Sequence, residues 1–280
     1  MAKLSFFNKV TVKGYVFSFN IKEGAKFKLA NIGIEDTVTK NRTYVTLFDN
    51  KNGIKYNGSE TTLEGLKKIF MNADDTPRHV FVEANGRISE TKGTNRNGEE
   101  TVFVNTTIFS IEPCYDESEQ YATVILNGIV DGVKVGEDSN GETKGKLKIG
   151  VLKYNKNGDI IGCDSVGLTA YGEVAEELEN QGVERGCFVR VYADMLNTQP
   201  QRDKYGDIIS NGKKEIQLAK IKGVTDAYEI EDFVNSTYKQ AKKLKRGETI
   251  TVKKSKTDDL EDIVKPSKKL DEFSDDDLDF

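Results

Sequence analysis

Cations and aromatic rings share two-residue spacing in the first part of this chain. Lys13, Tyr15 and Phe17 form one run, Arg42, Tyr44 and Phe48 another, and Lys26 and Lys28 stand between them. Such spacing puts side chains on one face of an extended strand. A face with both kinds of group suits a ligand with a charged backbone and flat bases. Cations track phosphates, and rings stack on bases at about 1–3 kcal/mol each. Farther along, Lys144, Lys146 and Lys148 repeat the spacing, and Arg190 with Tyr192, then Arg202, Lys204 and Tyr205, add to the set. A plainer reading stands beside this one: Phe17, Phe48, Phe81 and Phe103 pack a core, and a lysine row on an edge-like strand guards against aggregation.

The other chemically distinctive stretch is the end, Asp275-Asp276-Asp277-Leu278-Asp279-Phe280, preceded by Asp271 and Glu272. A carboxylate run repels itself and buries too little apolar surface to order. Its final ring is an anchor for a pocket on another protein, and its carboxylates suit a basic rim around that pocket. The same charges also imitate a nucleic-acid backbone.

Catalysis has little material. One histidine, His79, and three cysteines, Cys114, Cys163 and Cys187, leave no zinc-type spacing and no histidine-based nucleophile system. Phosphate-cradling and nucleophile-elbow motifs are absent from the sequence. The expectation is a non-enzymatic protein with no catalytic residue, metal or cofactor. Unpaired cysteines fit a reducing, cytoplasmic setting. No stretch approaches the length of a membrane-spanning helix, and the first residues lack the apolar core of a signal peptide.

A net charge of -5 looks unsuited to a polyanion until it is divided along the chain. Residues 1–115 carry 16 basic and 13 acidic side chains, and residues 116–230 carry 14 and 20. Residues 231–257 carry 8 and 3, and residues 258–280 carry 3 and 10. Much of the negative charge therefore sits in the tail.

The elements that must position these side chains follow from periodicity. Alternation predicts strands over 9–21, 25–34 and 43–48, with Val10, Val12 and Val16 on one side and Lys13, Tyr15, Phe17 and Phe19 on the other. Leu63, Leu66, Ile69 and Phe70 recur at helical spacing after Ser59. Strands over 79–84, with room to extend to 90, and over 101–111 follow. Residues 121–226 repeat this order: strands over 121–135, 142–154 and 159–171, a helix over 173–180, then strands over 188–195 and 214–223. Corresponding elements lie about 110 residues apart, the mark of a tandem duplication. Three strands, a helix and two strands is the order of the OB-fold, a partly open Greek-key barrel. The expected fold is mainly β, with two tandem OB-fold-like five-stranded barrels over 1–115 and 116–230. A basic linker with room for a short helix spans 231–257, and a disordered acidic tail spans 258–280. Thr249 to Val252 reads as a short strand or as irregular chain.

With two such bodies and that tail, the chain resembles the single-stranded DNA-binding proteins of bacteria and their phages. Bacterial members end in acidic residues closed by Pro-Phe, and this chain has Asp279 where Pro is usual. The resemblance implies sequence-independent coating of single-stranded DNA during replication, recombination or repair. It implies recruitment of replication and recombination proteins through Phe280, and it favours a phage-encoded origin. Two folds per chain favour a monomer or dimer over a tetramer. A phage assembly protein and an RNA-binding protein remain the alternatives. Truncation before Asp271 is expected to leave binding of oligo-dT equal or tighter, because a competing polyanion is gone. A titration of both forms checks this, and weaker binding by the truncated form contradicts the mimicry.

Overall fold

A computed structural model describes residues 4–251 apart from 26, 50–52, 95–97, 198–200, 203–207, 211–213 and 246. The first barrel comprises β1 (Phe7–Gly24), β2 (Phe27–Glu35), β3 (Arg42–Phe48), β4 (Phe81–Thr94) and β5 (Glu100–Pro113). Helix α1 (Leu63–Phe70) lies between β3 and β4. Strand β1 pairs with β2 through its second half and with β4 through its first, β3 runs parallel to β5, and β4 pairs with β5. The ring order 1-2-3-5-4 closes the sheet, as the OB-fold requires.

The second barrel repeats it. Strands β6 (Tyr121–Glu137), β7 (Thr143–Tyr154), β8 (Ile160–Tyr171), β9 (Phe188–Asn197) and β10 (Lys214–Thr225) surround helix α2 (Glu173–Asn180). Here β6 pairs with β7 and β9, β7 with β8, β9 with β10, and β8 runs parallel to β10. The expected mainly β architecture of two tandem barrels is therefore present.

The interiors follow the period-two pattern. Val12, Val16, Ile32, Ile34, Val45 and Leu47 are buried in the first barrel around Leu63, Leu66 and Phe70 of α1. Leu147, Ile149, Val166 and Leu168 do the same in the second around Ala175 and Leu178 of α2. Thr62, rather than Ser59, caps α1: its hydroxyl accepts from Gly65 N–H at 3.1 Å. Ser59–Thr61 instead pairs with Ile54–Tyr56 across the Asn57-Gly58 turn, where both turn residues have positive φ.

Bulges make the two barrels superimposable by register. Pairing slips between Val16 and Ser18 in β1 and between Val130 and Gly132 in β6. Phe17 and Asp131 are thus equivalent bulge residues. The slip also turns Phe19 inward, where it is buried against Phe70 at 5.8 Å, although alternation alone puts it beside Phe17. Just before each bulge lies a glycine, Gly14 or Gly128. A side chain at Gly14 would stand 2.6 Å from the Glu35 carbonyl oxygen, and one at Gly128 would strike that of Gly150.

The barrels are joined edge to edge. Residues Phe7 to Lys13 of β1 pair antiparallel with Tyr121 to Asn127 of β6, making one ten-stranded sheet. Counting back from the bulges, Val10 and Val124 are counterparts, and they face each other in this pairing. A local two-fold relation therefore passes between them. It is reproduced at the arms. The β4–β5 arm reaches the second barrel, where the Glu90 carboxylate accepts from Gly167 N–H of β8 at 2.7 Å. The start of the β9–β10 arm reaches β3: Asn197 N–H donates to Asn41 Oδ1 at 2.7 Å, and Asn41 Nδ2 donates to the Met195 carbonyl at 2.6 Å.

Residues 227–241, spanning the end of the expected second domain and the start of the basic linker with room for a short helix, pack on the second barrel as a helical segment with one π-turn. Ile250 then bridges to Ile160 through two backbone hydrogen bonds. The acidic tail lies outside the described residues. Among the described residues no helix is long and apolar enough to cross a membrane. Gly14→Ala and Gly128→Ala are each expected to destabilise the fold by about 1–3 kcal/mol, since neither β2 nor β7 backbone can recede freely. Urea unfolding of the two variants checks this.

Candidate nucleic-acid interface

On the first barrel the outer faces of β1, β2 and β3 build one cluster. Gly33 on β2 has no side chain, and the Phe17 ring from the β1 bulge lies over it. Across from Gly33 in register is Tyr44, whose ring meets Phe17 edge-on at 5.6 Å. The Arg42 guanidinium stacks over the Phe17 ring at 5.0 Å, while its Nε donates to Glu35 Oε1 at 2.8 Å. Phe17 is thus half-buried and held from three sides, and Tyr44 stays 52% exposed. Phe48 follows on the same face of β3, 48% exposed. The arrangement offers open ring surface beside a guanidinium fixed in orientation. That is the equipment for stacking on a base while meeting a phosphate.

The other expected residues are placed differently. Lys13 is only 7% exposed and lies under β6, its ammonium 5.9 Å from the Tyr121 ring. It is therefore a joint residue between the barrels rather than a surface cation. Tyr15 packs on Phe81 at 4.9 Å and donates its hydroxyl to Glu117 at 2.5 Å, a bond that holds the phenol above its ordinary pKa. Lys28 shares the inward side of β2 with Ala30 and Ile32, not the face of Tyr44, and pairs with Glu64 of α1 at 2.5 Å. That ion pair raises the lysine pKa and lowers that of the glutamate. Lys26 lies outside the described residues.

On the second barrel, Lys146 and Lys148 are exposed on the outer face of β7. Lys144 is half-buried, its ammonium over the Tyr171 ring at 5.0 Å. Arg190 Nε donates to Asn127 Oδ1 at 3.1 Å, and Tyr192 is half-buried on β9. Arg202 belongs to a two-residue strand, Gln201–Arg202, on the β9–β10 arm. Lys204, Tyr205 and the tail residues Asp275, Asp276, Asp277, Leu278, Asp279 and Phe280 lie outside the described residues.

Several surface groups escape the one-strand pattern. Lys134 of β6 sits directly across from Lys146 of β7, a pairing that only the register discloses. Phe27, Phe103 and Phe109 are exposed on β2 and β5, and the Arg87 guanidinium lies over Phe109 at 5.5 Å. The Arg87–Phe109 contact joins residues of different strands, which spacing along one strand does not reveal. A cleft between the barrels runs beside the cluster, with Arg42, Tyr44 and Thr106 on one wall and Leu196, Asn197 and Ile216 on the other. Among the described residues no group of three or more histidine, cysteine or acidic side chains is placed to hold a metal.

The faces at the two bulges differ. Where Phe17 stands on the first barrel, Asp131 stands on the second, and the helical segment covers it. Tyr238 is 3% exposed, and its hydroxyl sits over Gly150 where no side chain intervenes. That hydroxyl donates to Asp131 Oδ1 at 2.8 Å, and Lys242 pairs with the same oxygen at 2.7 Å. Ile230, Tyr238 and Ala241 close an apolar cluster with Leu4, Ile129, Leu152 and Ile160.

No protein-family model matches the chain, and no curated protein matches it by sequence. Among solved structures it is similar to the wild-type single-stranded DNA binding protein from Thermus aquaticus. Identity is 13%, the TM-score is 0.50, and the match covers 80% of this chain and 95% of that one. A deletion mutant of the same Thermus aquaticus protein matches at 13% identity and a TM-score of 0.49, over 81% and 97%. At such identity the likeness of the first of these concerns the fold, and that fold is the tandem pair of OB barrels described above.

Burial beneath the helical segment, chiefly, pushes the Cys163 thiol up to about 11. Its folded-state pKa is raised, so the associated stability is fully present below pH 9 and is lost as pH rises from 9 towards 11. Ellman's reagent at pH 8 is expected to modify Cys163 slowly. Tyr238→Ala should speed that reaction markedly while leaving Cys114 unchanged; equal rates at Cys163 would show that the segment does not shield it.

Proposed function

We propose that this protein is a non-enzymatic, sequence-independent single-stranded DNA-binding protein. The observation that carries the reading is the Phe17–Arg42–Tyr44 cluster on the outer face of β1–β3 in a closed OB barrel. That face is where such barrels receive oligonucleotides. Open rings and a pre-oriented guanidinium serve every base, because each base has a π-face. Charge is consistent with this, since residues 1–115 have more basic than acidic side chains. The fold likeness to a single-stranded DNA binding protein from Thermus aquaticus points the same way.

The finer role rests on the acidic, Phe-ended tail and its resemblance. In this reading the protein coats exposed strands in the cytoplasm, in phage replication, recombination or repair, and recruits partner proteins through Leu278 and Phe280. Residues 1–115 and 116–230 serve as two modules of one body, present as a monomer or dimer. Gel shift of oligo-dT at two salt concentrations tests the central claim. Affinity should fall steeply with salt as counterions are released. No shift at micromolar protein in low salt would sink it, and stronger binding of oligo-rU would move the reading to RNA. Tyr44→Ala should weaken oligo-dT binding by about 5- to 150-fold, the equivalent of about 1–3 kcal/mol, without changing the unfolding midpoint.

A further inference from the structure

The two barrels share topology and register but not surface chemistry. Among the described residues, five aromatic side chains stand exposed on strands of the first barrel: Phe27, Tyr44, Phe48, Phe103 and Phe109. None stands exposed on a strand of the second. The reason is local at each place. The position of Phe17 is taken by Asp131, and its surroundings lie beneath Tyr238. The pairing registers make Gly167 the counterpart of Tyr44, and Gly167 carries no ring and has its N–H occupied by Glu90. Tyr171, the counterpart of Phe48, has Lys144 over its ring and its hydroxyl donating to Glu215 at 2.8 Å.

Cations remain. Lys146 lies across from Lys134 on one side and from Thr169 on the other, and Lys148 lies between Gly132 and Gly167. Lys134, Lys146 and Lys148 are exposed; Gly132 leaves the flank of Lys148 towards β6 open, and the Glu90 carboxylate stands over Gly167 on the other flank. Among the described residues this is a track of point charges without an exposed ring. Such a track attracts phosphates and has nothing to offer a base.

We propose that the two barrels divide recognition of one strand: the first binds bases, and the second, its stacking face filled by the chain's own helical segment, binds only the sugar–phosphate backbone through Lys134, Lys146 and Lys148. This inference rests on the single-stranded DNA reading above. It explains how a barrel with more acidic than basic residues takes part in binding a polyanion. The contact is confined to one strip.

Two oligomers of equal length test it, one of thymidine and one of abasic tetrahydrofuran units. The full chain is compared with Tyr44→Ala and with a triple variant, Lys134→Gln, Lys146→Gln and Lys148→Gln. The triple variant should weaken both oligomers by the same factor. It should also lower the salt slope by about 2, from roughly 0.7 per phosphate contact. Tyr44→Ala should weaken the thymidine oligomer and leave the abasic one unchanged. A triple variant that loses clearly more affinity for thymidine than for the abasic strand overturns the division, since bases would then engage the second barrel. An unchanged salt slope overturns it too, by removing the second barrel from the path. Wild-type protein that binds neither oligomer in low salt removes the parent reading itself, a result separate from both.

Discussion

The antiparallel pairing of β1 with β6 sets the rest of the structure. It is a backbone ladder between counterpart strands, centred on Val10 and Val124, and it turns two barrels into one sheet. Edge strands are exposed templates for association, and here each strand satisfies the other's edge inside one chain. Once that pairing exists, the arm of each barrel falls across the third strand of its neighbour. Glu90 on Gly167, and Asn197 on Asn41, are its consequences rather than independent contacts. It also buries Lys13, which sits in the seam with Tyr121.

Period-two alternation made the ten long strands legible, and helical spacing made both helices legible, α2 to the residue. Alternation could not anticipate what happens where it breaks. One extra residue at Phe17 reverses the sides of everything after it, so Phe19 points into the core while Phe17 stays out. Nor does alternation report which of two sides is inward at a strand's end, where Lys28 pairs with α1 instead of facing solvent. The Tyr44 and Arg42 assignment to the open face followed from β3 alone, since that strand has no bulge. Contacts between strands, such as Lys134 with Lys146, depend on register and are invisible in a linear reading.

Residues 227–241 show the same limit for a longer segment. The lysines from Lys239 onward make 231–257 read as a basic linker with room for a short helix, yet Tyr238 and Ala241, with Ile230 just before that stretch, complete a core with Leu4 and Ile129. The glycine at 150 is the receptor half of that contact. Neither half signals the other in sequence, because one is defined by a missing side chain and the other lies far along the chain.

Two copies of one barrel in a symmetric dimer would present the same face twice, related by the two-fold axis. A strand crossing such a surface meets the same chemistry read from either end. Among the described residues the Tyr238 seat on Gly150 has no counterpart on the first barrel, where Tyr44 stands exposed beside Phe17 and Arg42. Fusing the barrels into one chain thus permits a surface with a head and a tail. A polymer that itself has direction would meet different chemistry at each end of such a surface.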